Sequence, residues 1–401
     1  MAKILISSIG TGNKKDGQYL SATYEIDKKR YKTSFIADAL KQHHKFDTIF
    51  LVGTKKSIWD EAYLTFGGDD DNASKLYEHL ESEDGISKDD LELFNLLEYN
   101  IIPIIIDYGV DETQLWANFK KYLEIAENFE DNDDIYLDIT HSFRSLSLMS
   151  FVMSQFAKTI SDKKFKIKAV YYGMLEYHRE NNGITPIVDL KMLFDIQEWI
   201  SAIDAIKKYS DFEPLVNLLS FEDIEPTVQN AFIQLNNSLK IANLSAFEIF
   251  IKNASKKIKS ISESSNEIIK LLAPEIIKLV DELNHDKKSH FQYNLAKWFY
   301  KNKNYAFSYI ALYEAIISKS CELKDYDVQD HDLREDAKQS IGNDKYGQYF
   351  YTKRGNPKFK DSISNIRNAI AHQSDDRKEL VMQDIKRLDE YLKTFEQYIY
   401  I

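Results

Sequence analysis

The chain has 401 residues and a net charge of −12, with 43% hydrophobic and 29% charged residues. This length predicts two or three domains, and the composition excludes a wholly disordered or fibrous chain. The acidic balance argues against a general nucleic-acid coat protein and against stable DNA binding, and the single cysteine, Cys321, excludes a disulfide framework and a cysteine zinc site.

The sequence contains no run of 18 apolar residues, so we expect no membrane-spanning helix. The apolar run at the N-terminus, residues 4–6, is too short for the hydrophobic region of a signal peptide. We therefore expect a cytoplasmic protein.

Strand and helix patterns alternate over the first 190 residues. The acidic segment 69–90 is expected to be exposed. The predicted strands are 3–9, 47–53, 101–107, 135–139, 168–173 and 186–190. The predicted helices are 34–42, 57–63, 112–129 and 145–160. This alternation predicts a Rossmann-like α/β domain, residues 1–190, with a doubly wound, mostly parallel sheet.

Strand patterns end after residue 190, and the rest of the chain is predicted to be all-α. The predicted helices are 192–209, 226–259, 264–284, 289–301, 304–323, 332–341, 359–373 and 376–399. We therefore expect a helical C-terminal region, residues 191–401.

Three polar loops follow predicted strands, namely Gly10–Asn13, Gly53–Thr54 and Thr140–Arg144. Ligands of such sheets bind outside the carboxyl ends of the strands, so these loops are expected to share one crevice. Gly10-Thr11-Gly12-Asn13 offers backbone N–H groups and a hydroxyl that suit a phosphate or a nucleotide edge, although a plain tight turn is equally compatible. Lys15 stands where a dinucleotide fingerprint needs its third glycine, which disfavours a nicotinamide dehydrogenase.

The segment Thr140-His141-Ser142-Phe143-Arg144 precedes an apolar helix. Thr140 or Ser142 could cap that helix, whose N-terminus would attract an anion, and Arg144 adds donors for phosphate. Phe143 could stack on a base. A polar turn with a satisfied histidine is the structural alternative, and a hydrolase triad is disfavoured because His141 and Ser142 are adjacent with no orienting acid.

A predicted helix near the C-terminus carries Arg367, Asn368 and His372. Arg367 and His372 are about 140° apart around the helix axis and roughly 7.5 Å apart along it, so they do not share one face. Asn368 and His372, at i and i+4, do. Arg367 must therefore reach round the helix, or the helix must end near His372, or a second copy of the chain must complete the site. A histidine that moves a proton and an arginine that stabilises a phosphorane suffice for metal-independent RNA cleavage by the substrate's 2′-hydroxyl. A solvated helix face is the alternative.

Other candidate residues carry weaker patterns. Glu314, on an apolar helix, is expected either to pair with Arg367 or to be exposed. His285 and His290, five residues apart near Asp286, do not make a convincing metal pair. We predict no metal site.

Taken together, these residues resemble the CRISPR-associated CARF–HEPN ribonucleases of type III systems, and most of all the single-CARF members with a D-x-T-H motif. Ser142 departs from the pattern, which commonly has glycine after the histidine. The segments that carry the resemblance are Ile4–Gly12, Asp138–His141, Tyr172–Glu176, Thr185–Leu190 and, as the R-x4-H motif of HEPN nucleases, Arg367–His372.

The resemblance implies a homodimer in which residues 1–190 are a CARF sensor of cyclic oligoadenylate and the helical region contains a HEPN domain that cleaves single-stranded RNA. Cyclic tetra-adenylate is the expected activator, with cyclic hexa-adenylate as the alternative. The implied ligand-binding residues are Gly10, Thr11, Gly12, Asn13, Gly53, Thr54, Thr140, His141, Ser142, Phe143 and Arg144.

In the implied reaction His372 is the general base or acid, Arg367 binds the scissile phosphate and Asn368 orients one of them, without a metal or other cofactor. A two-fold axis would bring two copies of Arg367 and His372 into one site. Two alternatives stay open: a nucleotide-sensing regulator with a non-catalytic helical domain, and a CARF pocket that also cleaves its own cyclic ligand.

Overall fold

The structure, a computed structural model, divides into two compact units, Met1–Asp195 and Ile196–Ile401. It describes the backbone of these ranges: 1–141, 144–220, 224–257, 262–263, 267–343, 347–351, 362–372 and 381–400. The side chains of Arg144 and His372 lie outside the described part.

The N-terminal unit is an α/β domain. Its strands are β1 (Lys3–Ile9), β2 (Lys14–Lys15), β3 (Gln18–Tyr19), β4 (Ala22–Ile26), β5 (Lys29–Thr33), β6 (Thr48–Gly53), β7 (Ile101–Ile105), β8 (Asp134–Asp138), β9 (Lys166–Gly173) and β10 (Ile184–Asp189). Its helices are α1 (Ile36–His43), α2 (Trp59–Thr65), α3 (Asp70–Glu81), α4 (Glu112–Ala126) and α5 (Arg144–Ile160). Two 3-10 turns, Asp90–Leu96 and Leu175–Arg179, complete it.

One eight-stranded sheet has the order β5-β4-β10-β9-β8-β1-β6-β7. The five strands from β9 to β7 are parallel to one another, whereas β10 is antiparallel to β9 and β5 is antiparallel to β4. Among the parallel strands, β6 and β7 extend the sheet on one side of β1, and β8 and β9, which come later in the chain, extend it on the other side. The switch point therefore lies at the carboxyl ends of β1 and β8, where such sheets bind ligands.

The period of two along β1 places its apolar side chains on both faces of the sheet. Leu5 and Ile9 pack in one buried cluster, whereas Ile4 and Ile6 pack in the other. Because helices cover both faces, the inner strands are almost continuously apolar. The predicted α/β fold class is confirmed.

Two features of this unit were not predicted. Residues 14–33 form two hairpins, β2–β3 and β4–β5, where no strand was predicted. Most residues of segment 69–90 are exposed, as expected, but the segment also contains α3, which buries Ala73, Leu76 and Leu80 against the core. Its apolar residues recur at helical spacing inside an acidic sequence, and that spacing outweighs the charge.

The described part of the C-terminal unit is helical, which confirms the predicted all-α region. Its helices are α6 (Met192–Tyr209), α7 (Glu213–Leu219), α8 (Pro226–Lys240), α9 (Leu244–Lys257), α10 (Glu267–Leu283), α11 (Lys288–Lys301), α12 (Tyr305–Leu323), α13 (His331–Ser340), α14 (Ile363–His372) and α15 (Val381–Ile399). Cys321 is buried within α12. None of the described helices has the length and apolarity needed to cross a membrane.

The single helix predicted over 226–259 is instead two, α8 and α9. Ala242 between them has a φ of 56°, in the left-handed region that ends a helix. Helix α7 was not predicted at all.

Candidate functional site

A cavity of about 840 Å³ opens at the switch point of the sheet. Seven residues predicted from the sequence line it: Gly10, Thr11, Gly12, Asn13, Gly53, Thr54 and His141. The convergence of the three loops at the carboxyl ends of β1, β6 and β8 therefore agrees with the sheet topology. Ser142 and Phe143, and the side chain of Arg144, lie outside the described residues.

Gly12 shapes the loop after β1. Its φ of 65° favours glycine, and a Cβ there would lie 2.7 Å from Cγ2 of Ile58 and 2.9 Å from Cδ1 of Tyr19. The loop is tied to the start of α2, because the N–H of Ile58 donates to the carbonyl of Gly10 at 2.9 Å. Glycine at position 12 thus lets the loop pack directly against Ile58 and Tyr19, which also line the cavity.

The loop after β6 is fixed by the buried hydroxyl of Ser57. This hydroxyl accepts a hydrogen bond from the N–H of Thr54 at 2.9 Å and donates to the carbonyl of Ile9 at 2.9 Å. A Cβ at Gly53 would lie 2.8 Å from Cγ1 of Ile9, so only glycine permits this approach of β6 to β1. Ser57 lines the cavity but was not predicted.

Asp138 ends β8 beneath the cavity and is 2% exposed. It accepts hydrogen bonds from the hydroxyl of Ser7 and from the N–H of Thr140, the latter at 2.9 Å. Burial raises the pKa of Asp138 to about 6, and these hydrogen bonds oppose the rise. The carboxylate holds the end of β1 to the turn that follows β8.

Thr140 was predicted to bind ligand, but its hydroxyl accepts a hydrogen bond from the N–H of Gly173 at 2.8 Å. It is not among the residues that line the cavity in the described part of the chain. Its observed contacts join the ends of β8 and β9.

His141 lines the cavity beside Gly10, where a Cβ would lie 3.2 Å from the carbonyl oxygen of His141. Nε2 of His141 lies 3.0 Å from the hydroxyl of Tyr24 on β4. Burial lowers the pKa of His141 to about 4, so the imidazole is neutral at pH 7. It can exchange hydrogen bonds with a ligand without adding charge.

The other cavity wall comes from segments that the sequence analysis did not single out. The hairpins contribute Tyr19–Tyr24, and the turn between β9 and β10 contributes Leu175, Glu176, His178 and Arg179. Their short polar strands carry no strong strand pattern. The one available signal was the resemblance over Tyr172–Glu176, which ends inside the turn.

Tyr19 is held in this wall by Asp60 at the start of α2. Its hydroxyl donates to Oδ1 of Asp60 at 2.9 Å. Burial raises the pKa of both groups, and the neighbouring carboxylate raises that of Tyr19 further. The Tyr19 hydroxyl therefore stays protonated at neutral pH and keeps donating.

Helix α5 begins at this cavity and carries an exposed apolar stripe. Leu148, Val152, Phe156 and Ile160 recur every four residues and are 66%, 51%, 42% and 56% exposed. Phe119 of α4 packs against Phe156 at 5.3 Å between ring centroids. Four large apolar side chains along one helix face are more than the isolated exposed residues that ordinary surfaces carry.

In the C-terminal unit, Arg367 and Asn368 lie on α14. The guanidinium carbon of Arg367 lies 5.2 Å from the ring centroid of Tyr313 on α12, and Nη1 donates to the side-chain oxygen of Asn368 at 3.1 Å. The predicted partner Glu314 instead accepts from Nη2 of Arg334 at 2.6 Å. The predicted pairing of Glu314 with Arg367 is therefore wrong, because Arg334 of α13 occupies the Glu314 carboxylate.

Within the described residues, no group of three or more His, Cys, Asp or Glu side chains is placed to hold a metal ion. His285 and His290 stack at 4.5 Å between ring centroids. This ring contact accounts for the spacing noted in the sequence.

Two protein families match successive parts of the chain. Residues 4–176 match the CARF domain of the CRISPR system endoribonuclease Csx1. Residues 195–289 match the second domain of the CRISPR-associated protein MJ1674.

The chain is also similar to a curated protein, the CRISPR-associated protein MJ1674 of Methanocaldococcus jannaschii. The two are 31% identical over 412 aligned positions, which cover 93% of this chain and 62% of MJ1674. The chain thus spans less than two thirds of that relative's length.

Among solved structures, the chain is similar to Enterococcus italicus Csm6 bound to cyclic hexa-2′-fluoro-hexa-dAMP. The match covers 99% of this chain and 93% of that one, at 14% identity and a TM-score of 0.41. These values are too low to equate the two folds.

Proposed function

Starting from the relation of this chain to the CRISPR-associated CARF proteins, we propose that it is a cytoplasmic ribonuclease activated by cyclic oligoadenylate. The N-terminal unit would bind the cyclic nucleotide, and the C-terminal unit would then cleave single-stranded RNA. The observation that carries the proposal is the cavity of about 840 Å³ at the switch point, inside the region that matches a CARF domain. Cyclic tetra-adenylate is the expected ring, and cyclic hexa-adenylate is the alternative.

The cavity suits an anionic nucleotide despite the acidity of its unit. Residues 1–190 carry 22 basic and 32 acidic side chains, so binding must depend on local donors. The glycine-rich loop after β1 offers backbone N–H groups and the Thr11 hydroxyl. Helix α5, with 17 residues, starts at the cavity with Arg144, and its N-terminus favours negative charge.

The proposed reaction uses the substrate's own 2′-hydroxyl. His372 removes the 2′-hydroxyl proton as the oxygen attacks phosphorus, and a second His372 donates a proton to the departing 5′-oxygen. Arg367 stabilises the charge of the phosphorane. Asn368 orients the guanidinium of Arg367 by accepting a hydrogen bond from it. The products are a 2′,3′-cyclic phosphate and a 5′-hydroxyl, and no metal takes part.

The proposal needs two copies of the chain. On an ideal helix Arg367 and His372 do not share one face, and a two-fold axis would supply a complementary pair. The apolar stripe on α5 is the surface we assign to the second copy. Because α5 starts at the cavity, pairing through this stripe would set two pockets beside each other for one cyclic ligand.

Activation requires that the ligand bind the active arrangement better than the resting one, since only differential affinity shifts an equilibrium. The experiment measures cleavage of a fluorescent single-stranded RNA in EDTA, with cyclic tetra-adenylate, cyclic hexa-adenylate or no ring. Wild type is compared with His372→Ala and Arg367→Ala. His331→Ala is the matched control, because His331 is exposed on α13 of the same unit.

We expect cleavage with one ring only, loss in both α14 variants and no loss in His331→Ala. Ring-stimulated cutting that survives in His372→Ala would refute the mechanism. Binding of a ring without any cutting would favour the regulator. Conversion of the ring to linear products by wild type and by His372→Ala alike would place a second activity in the N-terminal cavity.

A further inference from the structure

The turn Leu175–Arg179 between β9 and β10 forms one wall of the cavity and has no role in the function proposed above. We infer that this turn recognises the ligand: Arg179 binds a phosphodiester oxygen, and Glu176 accepts a hydrogen bond from a donor group of the nucleotide. The inference rests on the proposed function and specifies which residues of that site distinguish its ligand.

Both side chains point the same way because the turn is a 3-10 helix. Residues three apart eclipse each other in this helix, and Glu176 and Arg179 are three apart and both line the cavity. The turn is closed at each end: the N–H of Met174 donates to the carbonyl of Pro186 at 2.9 Å, and that of Gly183 to the carbonyl of His178 at 2.7 Å. It is thus a fixed element of the wall.

Arg179 stands out by its charge. In the described lining of the cavity it is the only lysine or arginine, and it forms no ion pair with another described residue. An exposed guanidinium without a carboxylate partner, in a unit with an excess of acidic groups, is suited to an anion that arrives from outside. Its planar fork matches two oxygens of a phosphate.

Glu176 makes the site selective. An ionised carboxylate only accepts hydrogen bonds, and it repels phosphate, so a ligand must place a donor against it. The hydroxyl of Tyr172 donates to Oε2 of Glu176 at 3.3 Å and leaves Oε1 for the ligand. An oligoadenylate offers two such donors, the adenine 6-amino group and the ribose 2′-hydroxyl.

The first experiment tests Arg179 by equilibrium binding of cyclic tetra-adenylate and cyclic hexa-adenylate to the full chain over a salt series. Arg179→Gln is compared with Lys168→Gln, which removes the same charge from an exposed position of β9 outside the cavity lining. We expect Arg179→Gln to weaken binding roughly 10- to 100-fold and to flatten the salt dependence, and Lys168→Gln to change neither.

Equal binding by Arg179→Gln and wild type would overturn the role of Arg179 while leaving the proposed function intact. Failure of wild type to bind either ring would overturn both. A salt dependence that stays unchanged in a weakened Arg179→Gln protein would also overturn the phosphate contact, because the loss would then be structural.

The second experiment tests Glu176 with the better-bound ring, its inosine analogue and its 2′-deoxy analogue. Inosine has an acceptor where adenine has the amino group. If the amino group is the donor, wild type rejects the inosine ring at least roughly tenfold and Glu176→Gln, whose amide can donate, recovers part of its binding. If the donor is the ribose, wild type instead rejects the 2′-deoxy ring, and Glu176→Gln, whose neutral amide accepts a weaker hydrogen bond than the carboxylate, discriminates less between the 2′-hydroxyl and 2′-deoxy rings.

Glu180→Gln is the matched control, since Glu180 directly follows the turn and does not line the cavity. The role of Glu176 would be overturned if Glu176→Gln showed the same relative affinities for the three rings as wild type and Glu180→Gln.

Discussion

The hydroxyl of Tyr24 lies 3.0 Å from Nε2 of His141, and this contact joins two parts of the domain that the sheet order keeps apart. Tyr24 lies on β4, and two strands, β10 and β9, separate β4 from β8, which precedes His141. The contact therefore connects the side of the cavity formed by the hairpins, Tyr19–Tyr24, to the side formed by the end of β8 and His141. Burial of His141 lowers its pKa to about 4, so the imidazole stays neutral at pH 7.

The pH dependence of stability follows from His141 and Asp138, which lie three residues apart and act in opposite directions. The pKa of His141 is lowered to about 4, so its contribution to stability is lost as the pH falls below 6.5, where the unfolded chain takes up the proton first. The pKa of Asp138 is raised to about 6, so the folded chain takes up a proton first and gains stability below that pH. The two effects largely cancel between pH 7 and pH 5.

Asp138→Asn removes the titration of Asp138, so that the contribution of His141 to the pH dependence of stability is no longer opposed. We expect the variant to lose about 2 kcal/mol of unfolding free energy between pH 7.5 and pH 5, and wild type well under half of that. Urea unfolding at several pH values measures both. A variant with the shallow profile of wild type would show that His141 titrates near its ordinary pKa.

Gly12→Ala should be more costly than the same change at another left-handed glycine. Gly12 and Gly17 have φ of 65° and 82°, so alanine strains both by about 1 kcal/mol. Only at Gly12 does the new Cβ collide, with Ile58 and Tyr19, whereas nothing lies within 4 Å at Gly17. We expect Gly12→Ala to lose at least about 1 kcal/mol more than Gly17→Ala. Equal losses of stability for the two variants in thermal unfolding would show that Ile58 and Tyr19 move to make room for the new Cβ.

The sequence predicted the parts of this site in which pattern and topology agree. Buried strands are apolar on both faces, so β1, β6 and β8 were recognisable, and their carboxyl ends had to meet. The hairpin wall was not predictable in the same way. Lys14–Lys15 and Gln18–Tyr19 are two-residue strands that pair only because the chain folds back on itself. Arg179 belongs to no motif in the sequence, and only the fold places it beside the cavity.

Val152→Glu on α5 should separate the proposed dimer. A carboxylate in the centre of an apolar contact loses hydration without gaining a partner, so we expect the dimer dissociation constant to rise at least roughly tenfold. Ile249→Glu is the control, because Ile249 is equally exposed, at 59%, on α9 of the other unit. Analytical ultracentrifugation measures both. If wild type is a monomer, or Val152→Glu dimerises as wild type does, the stripe has another role.

The pair Glu314–Arg334 should contribute to the stability of the helical unit. Their side chains are only 29% and 19% exposed, and Arg334 also donates to the Ser318 hydroxyl and the Val328 carbonyl at 3.1 Å. Arg334→Met would leave these acceptors unpaired and cost about 2 kcal/mol. Lys207→Met, which breaks the exposed ion pair with Glu275, should cost at most about 0.5 kcal/mol. Similar losses in urea unfolding would contradict the ranking.

Tyr313 should position the guanidinium of Arg367 for the proposed cleavage. The ring is 6% exposed, packs 5.8 Å from the ring of Tyr351 and presents its face to Arg367. Phenylalanine keeps that face, whereas leucine removes it and with it an attraction of about 1 kcal/mol, or roughly fivefold in rate. We therefore expect Tyr313→Leu to lower kcat for RNA at least roughly fivefold and Tyr313→Phe to retain most of it.

The comparison is made at saturating activator, with thermal unfolding of each variant as the measure of structural damage. Tyr313→Leu and Tyr313→Phe both lose the hydroxyl, so a difference in kcat between them reports the ring face. If both variants slow cleavage alike while their unfolding temperatures match, the hydroxyl matters and the guanidinium is positioned by Asn368 alone. If Tyr313→Leu has a lowered unfolding temperature, its slower cleavage could come from structural damage or from the loss of the contact with the guanidinium. Arg367→Lys distinguishes these two explanations. It keeps the charge but loses the planar fork, and it should reduce kcat without lowering the unfolding temperature.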